Sequence, residues 1–209
     1  MKLSGLYAIT PEHPDPGATL ADQVEQAILG GARVVQYRDK SGDGRRRRAE
    51  ARSLLGVCRR HGVPLIVNDD VELTAAVGAD GVHLGRDDME PATARRRLGR
   101  GTLIGISCYN KLENAERAQA LGADYVAFGR FFPSASKPGA VPADLELLQR
   151  ARAALRLPIV AIGGISPQNS GPLVAAGADM LAVIDALFGR ADIRAAAQAF
   201  TDLFPTEEP

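Results

Sequence analysis

A short signature recurs along this chain: Gly31-Ala32-Arg33, Gly78-Ala79-Asp80, Gly122-Ala123-Asp124 and Gly177-Ala178-Asp179. Each copy ends a helix-like stretch and leads into an apolar, β-rich run. Glycine suits the left-handed end of a helix, and the short alanine lets the chain turn tightly under the following strand. The copies lie roughly 50 residues apart, the spacing of a repeated supersecondary unit. Strands are predicted near Leu6–Ile9, Arg33–Arg38, Pro64–Asn68, Gly81–Leu84, Leu103–Ser107, Tyr125–Gly129, Pro158–Ile162 and Met180–Asp185. Helices are predicted near Thr19–Leu29, Arg46–Arg60, Val71–Val77, Pro91–Leu98, Leu112–Leu121, Ala143–Leu155, Pro167–Ala176 and Ile193–Leu203. The signature therefore marks every second strand, as in a barrel built from similar quarters. Eight β/α units in 209 residues fit a single-domain (β/α)8 TIM barrel of the α/β class better than an open sheet. No linker or composition shift interrupts residues 1–209, and the tail from about Phe204 reads as a frayed end.

In such a barrel the strand starts serve stability and the strand ends carry function. The second strand ends in Val34-Val35-Gln36-Tyr37-Arg38-Asp39-Lys40. Alternate side chains of a strand share a face, so Gln36, Arg38 and Lys40 are expected to project together. One amide and two cations suit a polyanion held beside a heterocycle; the bland alternative is a strand end running into a charged turn. Other strand ends repeat the pattern, with Asn68-Asp69-Asp70, His83 followed by Gly85-Arg86-Asp87-Asp88, Ser107, Gly163-Gly164 and Asp185. The loop from Phe131 to Gly139 adds Ser134, Ser136 and Lys137 between two prolines, and is suited to fold over bound phosphates.

Carboxylates from the neighbouring third and fourth strands suit a hard cation. Mg2+ commonly takes one or two carboxylates and completes its shell with water and phosphate oxygens. Of the pair Asp69-Asp70, Asp70 is read as the cap of the helix opening at Val71, and Asp69 as the metal ligand. Gly163-Gly164 before a helix can offer bare N–H groups to a phosphate, or can simply make a tight turn. Three features read as structural. His83 has no second histidine near it and reads as a hydrogen-bonded barrel residue, Arg45–Arg48 as a solvated helix start, and Cys58 among Leu54, Leu55 and Val57 as core.

The totals exclude several classes. Twenty-five basic residues balance 25 acidic ones, so nothing global points to nucleic acid or an anionic membrane. Cys58 and Cys108 are too few for a disulfide framework and stand in no metal-type spacing. Neither a signal peptide nor a membrane span is visible. A cytoplasmic protein acting on small molecules is expected, and a homo-oligomer is compatible with the sequence.

Taken together, these motifs resemble the thiamine phosphate synthase family over nearly the whole chain. The resemblance rests on six motifs in order: Gln36-x-Arg38-x-Lys40, Asn68-Asp69, Gly81-Val82-His83-Leu84-Gly85 with Asp88, Gly105-Ile106-Ser107, Pro133-Ser134-x-Ser136-Lys137-Pro138, and Ala161-Ile162-Gly163-Gly164-Ile165. It implies a (β/α)8 barrel and a Mg2+-dependent transferase. The implied reaction couples hydroxymethylpyrimidine pyrophosphate to hydroxyethylthiazole phosphate and releases pyrophosphate. It further implies that Arg38, Lys40, Asn68 and Lys137 hold the pyrophosphate and that Asp69 and Asp88 ligate Mg2+. Gln36 would position the pyrimidine, while Ser134, Ser136, Gly164 and the end of the eighth strand, Ile184 and Asp185, would receive the thiazole phosphate. Ser107 would bond to the leaving pyrophosphate, with Arg38 and Lys137 completing the catalytic set. The chain departs from the family pattern at Arg86, where Gln is usual, at Ser134 and Ser136, which replace Thr, and at Asp185, where Ser is common. A thiazole tautomerase of the same fold is expected to carry a histidine shortly after the fifth-strand serine. Here Cys108-Tyr109-Asn110 follow Ser107, which favours the synthase. A non-catalytic barrel that binds a thiamine precursor is the alternative from a different class.

Overall fold

The computed structural model describes residues 3–12, 14–133 and 141–205. Eight parallel strands alternate with helices: β1 (Gly5–Ile9), α1 (Leu20–Leu29), β2 (Ala32–Tyr37), α2 (Gly44–Arg60), β3 (Leu65–Asn68), α3 (Val71–Val77), β4 (Gly81–Leu84), α4 (Pro91–Leu98), β5 (Leu103–Tyr109), α5 (Leu112–Ala120), β6 (Tyr125–Gly129), α6 (Leu145–Ala154), β7 (Ile159–Ile162), α7 (Pro167–Ala175), β8 (Met180–Val183), α8 (Asp185–Phe188) and α9 (Ile193–Thr201). Each strand pairs with its neighbours in sequence, and β1 pairs with β8, Gly5 opposite Met180, to close the barrel. No helix among the described residues is long and apolar enough to cross a membrane.

Two apolar layers hold this arrangement. Inside the barrel, Tyr7, Ile9, Val34, Ile66, Tyr125, Val160 and Met180 interdigitate. Outside it, alternate strand residues such as Val35, Leu65, Val126 and Leu181 meet helix residues including Leu54, Leu148 and Phe200. The helix starts are set by local chemistry. Thr19 and Asp22 form a reciprocal capping box on α1, and Asp43, Asp70, Asp144 and Asp192 accept from the backbone of α2, α3, α6 and α9.

The repeated signature has a second purpose besides its turn. Its glycines take positive φ, from 72° at Gly78 to 108° at Gly177, where other residues would be strained. Its aspartates each reach back to the start of the preceding strand. Asp80 Oδ2 accepts from the N–H of Leu65 at 2.9 Å, Asp124 Oδ2 from Ile104 at 2.7 Å and Asp179 Oδ2 from Ile159 at 2.8 Å. These N–H groups lie at the barrel floor, where no previous strand residue can serve them. Arg33 stands in the first copy and offers no acceptor; the Asp179 carbonyl takes the N–H of Gly5 instead. Asp179 also pairs with Arg152 at 2.9 Å. Asp179→Ala should therefore cost about 1–3 kcal/mol, the range for stranding a buried donor. A lower urea midpoint at unchanged slope, with kinetic constants unaltered, is the expected result, since Asp179 lies at the end of the barrel opposite the strand termini that face the helices' starts.

Several boundaries differ from the sequence reading, and those at the ends of β8 and β5 bear on the rim of the barrel. The eighth strand stops at Val183, because Ile184 leaves the extended region (φ −115°, ψ −83°) and its carbonyl accepts from Leu187 and Phe188. Asp185 thus opens the short α8 rather than ending a strand. β5 runs two residues past Ser107, with a register shift between Ser107 and Tyr109. Phe204, read as the start of a frayed tail, packs against the outer core.

Candidate active site

The carboxyl ends of the strands surround a cavity of about 390 Å³. It exists because the inward positions near the top of β6 and β8 are Ala127 and Ala182, too small to fill the lumen as the Val, Ile and Tyr below them do. Of the residues expected from sequence, Gln36, Arg38, Asn68, Ser107, Gly164, Ile184 and Asp185 line it. A second, more open cavity of about 530 Å³ adjoins it and is lined by Lys40, Asn68, Asp69 and Asp88. Asn68 belongs to both, so the two spaces meet at the end of β3. Ser134, Ser136 and Lys137 lie outside the described residues.

The period-two reading of Gln36, Arg38 and Lys40 holds only as far as the strand does. β2 ends at Tyr37, so Gln36 points into the barrel and is buried, whereas Arg38 and Lys40 belong to the loop above. Arg38 keeps the first cavity, its Nη1 bonded to Glu12 at 2.6 Å, and its N–H donates to Thr10 Oγ1 at 2.9 Å. Lys40 turns to the second cavity, its Nζ 3.6 Å from Asp69 Oδ2.

Asp69 and Asp70 divide as their neighbours dictate. Asp70 Oδ1 accepts from Leu73 N–H at 2.8 Å and so caps α3, while its other oxygen meets Arg47 at 3.0 Å. Asp69 takes φ 64°, a left-handed conformation that Asp tolerates better than most residues, and its carboxyl turns to that of Asp88. Burial, and then the adjacent Asp88 carboxylate, push the Asp69 carboxyl above the ordinary range. Asp88 Oδ2 accepts from Gly85 N–H at 2.6 Å, which closes the loop after β4. Among the described residues no group of three or more His, Cys, Asp or Glu forms a metal cage. The donor set here is two carboxylates that repel each other beside an open space also lined by Lys40 and Arg47. That fits a hard cation which keeps most of its shell for water and substrate oxygens.

Gly163 and Gly164 follow β7 with φ 105° and 62°. A side chain at Gly164 would collide with the carbonyl of Pro133, so only glycine lets the two segments meet at the cavity wall.

Several residues that line the two cavities are not singled out by the sequence. Tyr7, Tyr109, Arg130 and Arg190 line the first cavity, and Arg47, read as part of a solvated helix start, lines the second. His83 proves to be bonded directly to a site residue, its Nε2 lying 2.9 Å from Ser107 Oγ. A signal was present: a phenol inside a barrel needs a polar partner, and Tyr7, Tyr125 and His83 all fall on inward positions. Cys108, although next to Ser107, points outward into the core. Both cysteines are fully buried and burial raises their thiols to about 12. Neither should react with iodoacetamide until the chain unfolds, and Cys108→Ser should retain activity; rapid alkylation of native protein would contradict this.

The thiamine monophosphate synthase family model matches residues 6–187. The chain belongs to that family. Thiamine-phosphate synthase of Thiobacillus denitrificans is 55% identical over 203 residues, covering 97% of this chain and 96% of the relative. The protein of the same name from Azoarcus sp. is 54% identical over 203 residues, covering 97% and 98%. Among solved structures, thiamine phosphate pyrophosphorylase from Pyrococcus furiosus superposes with a TM-score of 0.87 at 33% identity, covering 95% of this chain and 94% of that one. The family and fold expected from the ordered strand-end motifs are both met. The function these relatives support is thiamine-phosphate synthesis, a transferase reaction, and they do not favour the tautomerase.

Proposed function

We propose that the two adjoining cavities bring hydroxymethylpyrimidine pyrophosphate and hydroxyethylthiazole phosphate together and join them by a dissociative substitution. The C–O bond to the pyrophosphate breaks and its electron pair leaves with pyrophosphate. The thiazole nitrogen then supplies the pair for the new C–N bond, giving thiamine phosphate. The observation that carries this reading is the meeting of the two cavities at Asn68, an apolar-walled one beside a charged one. A heterocycle in the first can then extend its pyrophosphate across the junction, from Arg38 and Ser107 in the first cavity to Lys40 in the second.

On this reading Gln36 and the inner aromatic floor orient the pyrimidine, while Arg38, Lys40 and Asn68 hold the pyrophosphate. Lys137, which the family resemblance assigns to the same group, and Ser134 and Ser136, which it assigns to the thiazole phosphate, are carried on that resemblance alone. Gly164, Ile184 and Asp185 face the thiazole phosphate with backbone groups, the Asp185 carboxylate turning away. Asp69 and Asp88 would hold Mg2+, which when bound would neutralise charge on the departing pyrophosphate. Ser107 donates to that leaving group. The bond-breaking step mainly needs stabilisation of a developing polyanion, and the bond-forming step mainly needs a nucleophile already in place. Mixing both precursors with Mg2+ should release pyrophosphate and form thiamine phosphate in equal amounts. Tight binding of the precursors without pyrophosphate release would instead indicate a non-catalytic binding barrel.

A further inference from the structure

A line of hydrogen bonds crosses the barrel interior and ends on Ser107. Gln36 Nε2 donates to the Tyr7 hydroxyl at 2.8 Å, and the Tyr7 hydroxyl lies 2.8 Å from that of Tyr125. The Tyr125 hydroxyl lies 3.1 Å from His83 Nδ1, and His83 Nε2 lies 2.9 Å from Ser107 Oγ. The five residues come from β2, β1, β6, β4 and β5, and Gln36, Tyr7, Tyr125 and His83 are buried.

The chemistry of each group sets the direction of the whole line. A phenol has one hydrogen. The Tyr7 oxygen already accepts from Gln36, so its own hydrogen goes to Tyr125. The Tyr125 hydrogen then goes to His83 Nδ1. A neutral imidazole that accepts at Nδ1 carries its hydrogen on Nε2, and that hydrogen goes to Ser107 Oγ. With its oxygen engaged as acceptor, Ser107 has its hydroxyl hydrogen left to give to the cavity. With Gln36 Nε2 as the donor at one end, a reversal anywhere further along the line would place two hydrogens between one pair of atoms or leave a buried hydroxyl hydrogen unpaired.

We propose that Tyr7, Tyr125 and His83 form a positioning relay that holds His83 as the Nε2–H tautomer and makes Ser107 an obligatory donor toward the leaving group. The ligand end of the relay, a departing pyrophosphate, rests on the function proposed above; the bond directions do not. Burial raises the ionisation of both phenols far above neutrality, so each keeps its hydrogen. The rings are also locked in place. Tyr125 stacks on His83 with centroids 5.6 Å apart and meets Tyr7 edge-on at 5.9 Å. Gly105 on β5 makes the room, because a Cβ there would run into the Tyr125 ring. The glycine and the serine of the Gly105-Ile106-Ser107 motif thus belong to one device, one admitting the ring that orients the other.

Two measurements test the relay. Nitrogen-15 spectra of the wild-type protein at neutral pH should show His83 protonated at Nε2 and bare at Nδ1; the opposite tautomer overturns the proposal whatever the enzyme's activity. In single-turnover kinetics with both precursors, Tyr125→Phe keeps the ring and removes the hydroxyl. It should slow chemistry about 10–100-fold, by analogy with the loss of the outer hydrogen-bond partner of a metal-bound histidine, with KM for both substrates unchanged. In a Ser107→Ala background the same change should cost almost nothing, because the relay acts only through Ser107. Multiplying losses would show a merely structural role and overturn the proposal. Absence of any turnover by the wild type would instead refute the proposed function, and the tautomer would still decide the relay.

Discussion

Asp69→Asn should reduce turnover about 10³-fold or more, the order expected when several kcal/mol of metal-borne charge stabilisation is lost, yet leave a fold at least as stable as the wild type. Both halves follow from the same geometry. Asp69 is held at φ 64° with its N–H donating to the His83 carbonyl at 2.8 Å. Asn tolerates that backbone as well as Asp does, so the substitution does not strain the loop. Burial and the neighbouring Asp88 carboxylate raise the Asp69 carboxyl above its ordinary range. A carboxyl whose pKa is higher folded than unfolded contributes stability that is present at low pH and lost as pH rises through the folded value. At neutral pH and without a cation, the ionised pair therefore opposes folding, and Asn removes the repulsion. Thermal melts with and without Mg2+ read this directly. Mg2+ should raise the wild-type midpoint and leave the variant's unchanged, while in chelator the variant should melt no lower than the wild type. A variant that keeps turnover, or still responds to Mg2+, would remove Asp69 from the metal site. Asp88→Ala should also be inactive, whereas Asp87→Ala should be mild, because Asp87 is exposed and it is Asp88 that turns back to Gly85 and Asp69. The reverse pattern would show that the register of the loop after β4 is misassigned.

Ser107→Ala should slow the chemical step by about 10²–10³, the cost of losing one donor aimed at developing charge, while both substrates still bind. The register shift between Ser107 and Tyr109, and the left-handed Tyr109 (φ 58°), re-aim the end of β5 just past the serine. Such conformations persist only where the surroundings hold them. Alanine leaves the apolar packing intact but removes the acceptor of the buried His83 Nε2–H, so the circular dichroism spectrum should be unchanged while the melting midpoint falls by a few degrees. A single-turnover rate equal to that of the wild type would exclude Ser107 from the mechanism. A loss expressed only in KM would make it a binding residue and no more.

The barrel, and the rim positions of most candidate site residues, are legible in the order of residues because both obey short periods. Gly-Ala-Asp turns, apolar runs of four to seven residues and polar residues at strand ends are local patterns, and a closed parallel barrel puts every strand end on one rim. Thus Gln36, Asn68, Asp69, Asp88, Ser107 and Gly164 could be named from position along the chain. Tertiary structure decided what local pattern cannot encode, namely contacts between residues far apart in sequence. The Tyr7–Tyr125 bond spans 118 positions, and nothing near either tyrosine announces the other. His83 looked like a barrel residue and is one, but its bond to Ser107 depends on the register of β4 against β5, Leu84 opposite Ile106. Arg47 reads as one of four surface arginines; only the packing of α2 beside β3 brings it to Asp70. The end of β8 differs from the sequence reading because Ile184 continues the apolar run Met180–Val183, which strand propensity would extend up to Asp185. The chain breaks there because the Ile184 carbonyl is claimed by the N–H groups of Leu187 and Phe188 in the next turn. Sequence determined which groups reach the rim. The closed barrel decided which of them touch, because hydrogen-bond partners across a lumen are set by strand register and not by distance along the chain.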